Sequence, residues 1–198
     1  IENKEYNLII NRFKRKDFLN LYKSTILITG GSGFIGKWIV GTLLKIDDKY
    51  KINIKLIIIS RQKKIDLINK DNIFSDKRIK IIKKDIKNFK KIKNSSINHC
   101  VHLATDTNIE SVENKKYISK TVIEGGLNLL NLIKKNKIHN VIYASSGAVY
   151  GKLKQPNNGY KESMNIKSKD YESNNYYGYA KNYIEKKYIN SLKNNKYN

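Results

Sequence analysis

Short apolar runs alternate along the chain with longer stretches of helical period. Residues 25–29, 54–60, 79–83, 99–103 and 140–145 are rich in Ile and Val and read as strands. The central ones are almost continuously apolar, the pattern of parallel strands covered on both faces. Between them, Phe34, Ile35, Trp38, Ile39, Leu43 and Leu44 recur at helical spacing, as do Val122, Ile123, Leu127, Leu129, Leu130 and Ile133. This alternation predicts an α/β fold built on a parallel sheet. Ahead of the first strand, in residues 1–24, Phe13, Phe18, Leu19 and Tyr22 predict a short helix packed onto the domain. Residues 62–77 are polar and less regular. Residues 151–175 form a long Asn/Ser/Lys-rich connection holding the single proline, Pro156, and connections of that length are usually functional or disordered.

Composition changes this picture little. The chain has 198 residues and a formal charge of +23, from 36 Lys and 4 Arg against 17 acidic residues. Lys, Asn and Ile, which share A/T-rich codons, fill 93 of the 198 positions, so the charge reflects codon bias before it reflects a partner. Nucleic-acid readers favour Arg for bidentate contacts, and this Lys/Arg ratio argues against a nucleic-acid partner. No apolar run approaches the roughly 20 residues of a membrane span, and residues 1–11 lack the pattern of a secretory signal. The expected location is therefore the cytoplasm. The single cysteine, Cys100, lies in an apolar run, where a small buried thiol is expected; no disulfide within the chain and no cysteine-rich metal site are expected.

The first strand runs into Thr29-Gly30-Gly31-Ser32-Gly33-Phe34-Ile35-Gly36, which opens the Trp38 helix. In such a turn Gly30 permits the sharp bend, Gly33 lets backbone approach a pyrophosphate, and Gly36 lets helix and strand pack closely. The helix N-terminus adds unpaired N–H groups and positive dipole. Spaced glycines between an apolar strand and an amphipathic helix point to a dinucleotide cofactor. The second strand ends in Ser60-Arg61. An acidic residue there would favour NAD through the ribose 2′-hydroxyl, whereas Ser and Arg suit a 2′-phosphate, so NADP is expected ahead of NAD. The alternative for Arg61 is a solvated loop cation. Asp85-Ile86, after the third strand, could meet the adenine; a helix cap is the alternative for Asp85.

The fifth strand leads into Ser145-Ser146-Gly147-Ala148-Val149-Tyr150-Gly151, and Tyr177 and Lys181 follow at the start of a helical stretch. Four residues apart, they share one face of a helix. An ammonium beside a tyrosine favours its phenolate, which can take a proton from a substrate hydroxyl while hydride leaves the same carbon. With 14 Tyr and 36 Lys this spacing arises readily by chance; its weight comes from following the glycine turn and the Ser-Ser strand end in order.

With these motifs the chain resembles the extended short-chain dehydrogenase/reductase family, in its NAD(P)-dependent epimerase/dehydratase group acting on nucleotide-linked sugars. The resemblance rests on residues 29–36, Asp85-Ile86, His102-Leu103-Ala104, residues 145–151, and Tyr177 with Lys181. It implies a Rossmann-like, doubly wound parallel sheet of order 3-2-1-4-5 with helices on both faces. It further implies Ser146 as the catalytic Ser/Thr, Tyr177 as the base, and Lys181 as its partner, also touching the nicotinamide ribose. Leu103, Ala104 and Thr105 are implied to line the cofactor, and a nucleotide-sugar substrate and a homodimer are implied as partners. Nucleotide-sugar metabolism serving cell-surface polysaccharide is the implied setting.

Departures from the group's pattern refine the expectation. Gly147 and Ala148 stand where the dehydratases of this group carry carboxylates, so epimerisation or oxidoreduction is expected over dehydration. Val122 replaces an Asn, and Tyr176 replaces a frequent Pro. Family members usually continue well past the Tyr/Lys helix into a substrate domain, so the residues from 25 onward are expected to form a dinucleotide domain that lacks it. A non-catalytic dinucleotide-binding protein is the alternative of a different class.

Overall fold

The computed structural model describes residues 3–61, 73–89, 91–92, 96–105, 117–118, 120–151, 159–164 and 175–193. Branched aliphatic side chains, which suit a pleated and covered surface, form five strands: β1 (Thr25–Thr29), β2 (Lys55–Ser60), β3 (Ile79–Lys83), β4 (His99–His102) and β5 (Asn140–Tyr143). All pair in parallel in the order β3-β2-β1-β4-β5, the order the resemblance implies. Leu27 at the centre sits between Ile57 and Cys100 in register. β4 and β5 stop short of the predicted limits, 103 and 145: Leu103 and Ala144 each donate one last hydrogen bond to the neighbouring strand, to the Thr29 and His102 carbonyls, and the chain then turns into the loops of a cleft. Most of the predicted polar stretches falls in residues 62–72, 152–158 and 165–174, outside the described residues.

Side chains alternate between two cores, as the pleat requires. On one face Ile26, Ile28, Leu56, Ile58 and Val101 pack with Val40 and Leu44 of α2 (Phe34–Tyr50) and with Tyr6 and Ile10 of α1 (Asn3–Ile10). On the other, Leu27, Ile57, Ile59 and Cys100 pack with Leu129, Leu130 and Ile133 of α3 (Gly125–Lys135) and Ala180, Ile184 and Tyr188 of α4 (Tyr176–Lys193). A single π turn, Lys120–Glu124, leads into α3. Burial pushes the Cys100 thiol up to about 12, so it stays protonated.

The N-terminal segment forms two short helices, both packed against α2 and the sheet. Residues Arg15–Leu21 form a 3-10 helix, whose Phe18 ring lies 5.6 Å from that of Tyr50 in α2. Of Phe13, Phe18, Leu19 and Tyr22 only Phe18 is buried, and Leu19 is 63% exposed. α1 adds a second anchor, where the Tyr6 ring lies 5.4 Å from that of Trp38.

Candidate functional site

Where the parallel strands end, their loops enclose a cleft of ≈ 520 Å³. The glycine turn forms one wall with Gly30, Gly33, Phe34, Ile35 and Gly36. Gly30 has φ +72° and lies against the β4 loop: a Cβ there would stand 2.8 Å from the Ala104 nitrogen. At Gly36 a Cβ would stand 2.6 Å from Gly31 Cα, so only glycine lets α2 start this close to the turn. Gly33 precedes the first turn of α2 without a side-chain cap, leaving the helix N–H groups and dipole facing the cleft.

At the ends of β2 and β3 the wall holds Ser60, Arg61, Asp85 and Ile86, and also Ser32 and Lys84, which sequence reasoning did not select. The Ser32 and Ser60 hydroxyls share a 2.9 Å hydrogen bond. The Lys84 N–H donates to the Ser60 carbonyl at 3.1 Å, fixing Lys84 beside Arg61. Arg61 donates to the Tyr117 hydroxyl at 3.4 Å. Asp85 does two things at once: its carboxylate accepts from the Lys87 N–H at 2.9 Å, capping the short 3-10 turn Ile86–Asn88, while the residue borders the cleft.

The β4 end contributes Leu103, Ala104 and Thr105. Beneath them the Thr29 hydroxyl lies 2.6 Å from His102 Nδ1 and accepts from the Ala104 N–H at 3.2 Å. Burial, with the Lys181 charge second, pushes His102 down to about 3. The ring is thus neutral, and a neutral Nδ1 can accept the Thr29 proton, which turns the Thr29 oxygen toward Ala104.

Ala144, Ser145, Tyr177 and Lys181 close the far end. Tyr177 is half-buried, and Lys181, one helical turn on, is 3% exposed. The Lys181 Nζ donates to the Ala144 carbonyl at 2.6 Å and lies 5.9 Å from the centre of the Tyr177 ring and 4.6 Å from that of Tyr143. Burial pushes its pKa down to about 8, against the opposing pull of Glu185. Ser146 sits at the edge of this group: half-buried, it caps the 3-10 turn Gly147–Tyr150, accepting from the Ala148 N–H at 3.2 Å, and its neighbour Ser145 is the serine in the cleft wall.

Two further residues complete the far end. Asn175 accepts from the Gly178 N–H at 2.9 Å and donates to the Ala148 carbonyl at 3.2 Å, tying the start of α4 to the β5 loop. An Asn just before a helix is a sequence signal for such a cap. Glu185 accepts from the Ser145 hydroxyl. A carboxylate therefore stands behind the β5 end after all, supplied by α4 rather than by positions 147 and 148. It is eight residues beyond Tyr177, on the same helical face, a spacing that could have revealed it. Among the described residues, no group of His, Cys, Asp and Glu could hold a metal ion, and no helix is long and apolar enough to cross a membrane.

Both the sequence and the fold match known proteins. Residues 26–197 match the NAD dependent epimerase/dehydratase family. The chain is 34% identical over 131 residues to the protein named "Putative UDP-glucose 4-epimerase" of Methanocaldococcus jannaschii, covering 64% of this chain and 39% of that one. Its fold superposes on UDP-N-acetylglucosamine 4-epimerase of Methanobrevibacter ruminantium with a TM-score of 0.68 and 27% identity, over 86% of this chain and 51% of that one. The UDP-Glc/GlcNAc 4-epimerase of Campylobacter jejuni, at 20% identity and a TM-score of 0.69 over 87% and 50% of the two chains, shares the fold. The chain thus spans about half the length of these solved relatives. With a glycine turn, a parallel sheet of this order and a Tyr/Lys helix meeting at one cleft, and with nearly the whole length matched, the chain belongs to the NAD dependent epimerase/dehydratase family.

Proposed function

We propose that the cleft binds NADP or NAD and serves a cytoplasmic epimerase or oxidoreductase acting on a nucleotide-linked sugar. The observation that carries this reading is that Tyr177 and the buried Lys181 border the same cleft as the glycine turn. A nicotinamide dinucleotide, when bound, supplies the hydride acceptor. Tyr177 takes the proton of the sugar hydroxyl. Lys181, held by the Ala144 carbonyl, supplies the positive charge that favours the tyrosinate. Ser146 has its oxygen engaged by the Ala148 N–H, leaving its own O–H to donate to the substrate oxygen. Dehydration is the weaker reading, since Gly147 and Ala148 carry no acid or base and Glu185 is engaged by Ser145. Tyr179 and Ile189, exposed on α4, offer the face for a homodimer.

NADP is favoured over NAD by what surrounds the β2 end. Ser32, Ser60, Arg61 and Lys84 supply two cations and two hydroxyls there, the donor set of a phosphate site, and Asp85 is turned to its cap. Thermal unfolding with saturating NADP and NAD tests both parts. NADP is expected to raise the melting temperature more, and Arg61→Ala to remove that advantage. Tyr177→Phe should keep the stabilisation while abolishing nucleotide-sugar turnover. Stabilisation by neither dinucleotide overturns the reading, and greater stabilisation by NAD overturns the NADP preference.

A further inference from the structure

Lys181 carries its charge with little conventional support. The residue is 3% exposed, and among the described residues no carboxylate lies within ion-pairing distance of its ammonium. One hydrogen bond, to the Ala144 carbonyl at 2.6 Å, holds it. Its other close neighbours are aromatic: Nζ lies over the Tyr143 ring, 4.6 Å from its centre, and 5.9 Å from the centre of the Tyr177 ring. A cation within about 6 Å of an aromatic face is attracted by the ring's quadrupole, most strongly where water is excluded.

The hydroxyl of Tyr143 does not explain a tyrosine at that place. It is buried without a hydrogen-bond partner, a condition native proteins keep rare. Burial also holds its pKa well above the usual 10, so it moves no proton near neutral pH. Tyr143 is half-buried and stands outside the cleft wall. What it offers the site is its ring face. That ring is held in turn by Tyr188, stacked 5.3 Å away and tied through its own hydroxyl to the Gly126 carbonyl of α3 at 3.0 Å, and by the His102 ring at 5.4 Å.

We propose that Tyr143 is a positioning residue of the site, whose ring carries the Lys181 ammonium and keeps it charged at the pH where Tyr177 gives up its proton. This rests on the reading of Tyr177 and Lys181 as the reacting pair. Consecutive residues of the β5 end divide the work: the Tyr143 ring supports the charge and the Ala144 carbonyl aims it. The other titratable groups around Lys181 come from β4 and α4. His102 and Tyr188 are neutral and contribute no charge. Glu185 favours the ammonium, yet burial outweighs it, and its carboxylate is engaged by Ser145.

The test follows Lys181 directly in the ligand-free chain. Carbon-13 at the lysine Cε positions reports each deprotonation by NMR, the Lys181 signal being the one lost in Lys181→Met. Position 143 is changed to Phe and then to phenylalanines bearing one, two and three ring fluorines, which draw charge from the ring face at nearly constant size. Tyr143→Phe should titrate with the wild type, near pH 8, and melt no lower, because it removes only an unpaired hydroxyl. Each fluorine should then lower the Lys181 pKa, reaching about one pH unit with three, a tenfold gain in acidity. Tyr143→Leu should lower it at least as far. A Lys181 pKa that stays constant along the fluorinated series overturns the proposal, since a ring that only fills space does not sense its own charge distribution. Dinucleotide binding is read separately from the melting temperature. If neither NADP nor NAD raises it, the cleft reading falls, and the assignment of Tyr143 to a reacting site falls with it even where the titration responds to fluorine.

Discussion

Lys181 holds its charge in a place that disfavours one, and stability should record it. Its pKa is about 8 in the fold against 10.5 when free. Between these values the unfolded chain binds the more protons, so stability rises with pH through this window, by about 1.4 kcal/mol per pH unit at most. Tyr143 and Tyr188 act oppositely. Burial raises both above the ordinary 10, so their contribution is present below pH 10 and lost above it. Urea midpoints for wild type should therefore rise from pH 8, peak near pH 10 and then fall, whereas Lys181→Met should abolish the rise. A flat wild-type profile would mean that Lys181 is not desolvated. The sequence made Lys181 legible through its spacing from Tyr177. It did not reveal Lys84, which reaches the site through a tertiary contact with the β2 end that leaves no local pattern, whereas Glu185 lies one helical turn beyond Lys181, a spacing that can be read.

At the level of elements, the strands were legible because branched residues fill them and polar residues bound them. Three things were hidden. The ends of β4 and β5 were over-extended, since residues 103 and 144 are as apolar as the strands they leave. The π turn was hidden because Val122 and Ile123 keep a spacing that α3 could simply have continued. The docking of α1 was equally illegible, as it depends on a gap at Gly41 of α2. A Cβ there would collide with the Tyr6 ring and hydroxyl, the tip of a side chain. Gly41→Ala should therefore lift α1 while the sheet survives, seen as a red shift of the single tryptophan, Trp38, and earlier proteolysis of residues 3–10. Gly36→Ala meets backbone atoms of Gly30 and Gly31 instead. It should cost about 3 kcal/mol or more of stability and remove dinucleotide stabilisation. Equal effects of the two would show that α1 and the sheet unfold as one unit.

For the molecule as a whole, charge says less about the partner than the order of the motifs does, yet it sets how an anionic ligand is met. A net charge of +23 attracts any phosphate-bearing molecule over distances that salt controls, about 10 Å at 0.1 M and about 3 Å at 1 M. This general attraction acts on NADP and NAD alike. The contacts proposed for Arg61 and Lys84 act on the 2′-phosphate alone, and both cations stand at the surface of the cleft, open to screening. Raising sodium chloride from about 0.1 to about 1 M should then weaken both dinucleotides but NADP more, narrowing the preference between them. In the Arg61→Ala, Lys84→Ala double variant the two should weaken in parallel at every salt concentration. Parallel weakening already in the wild type would mean that only the diffuse charge is felt, and that neither residue reads the 2′-phosphate.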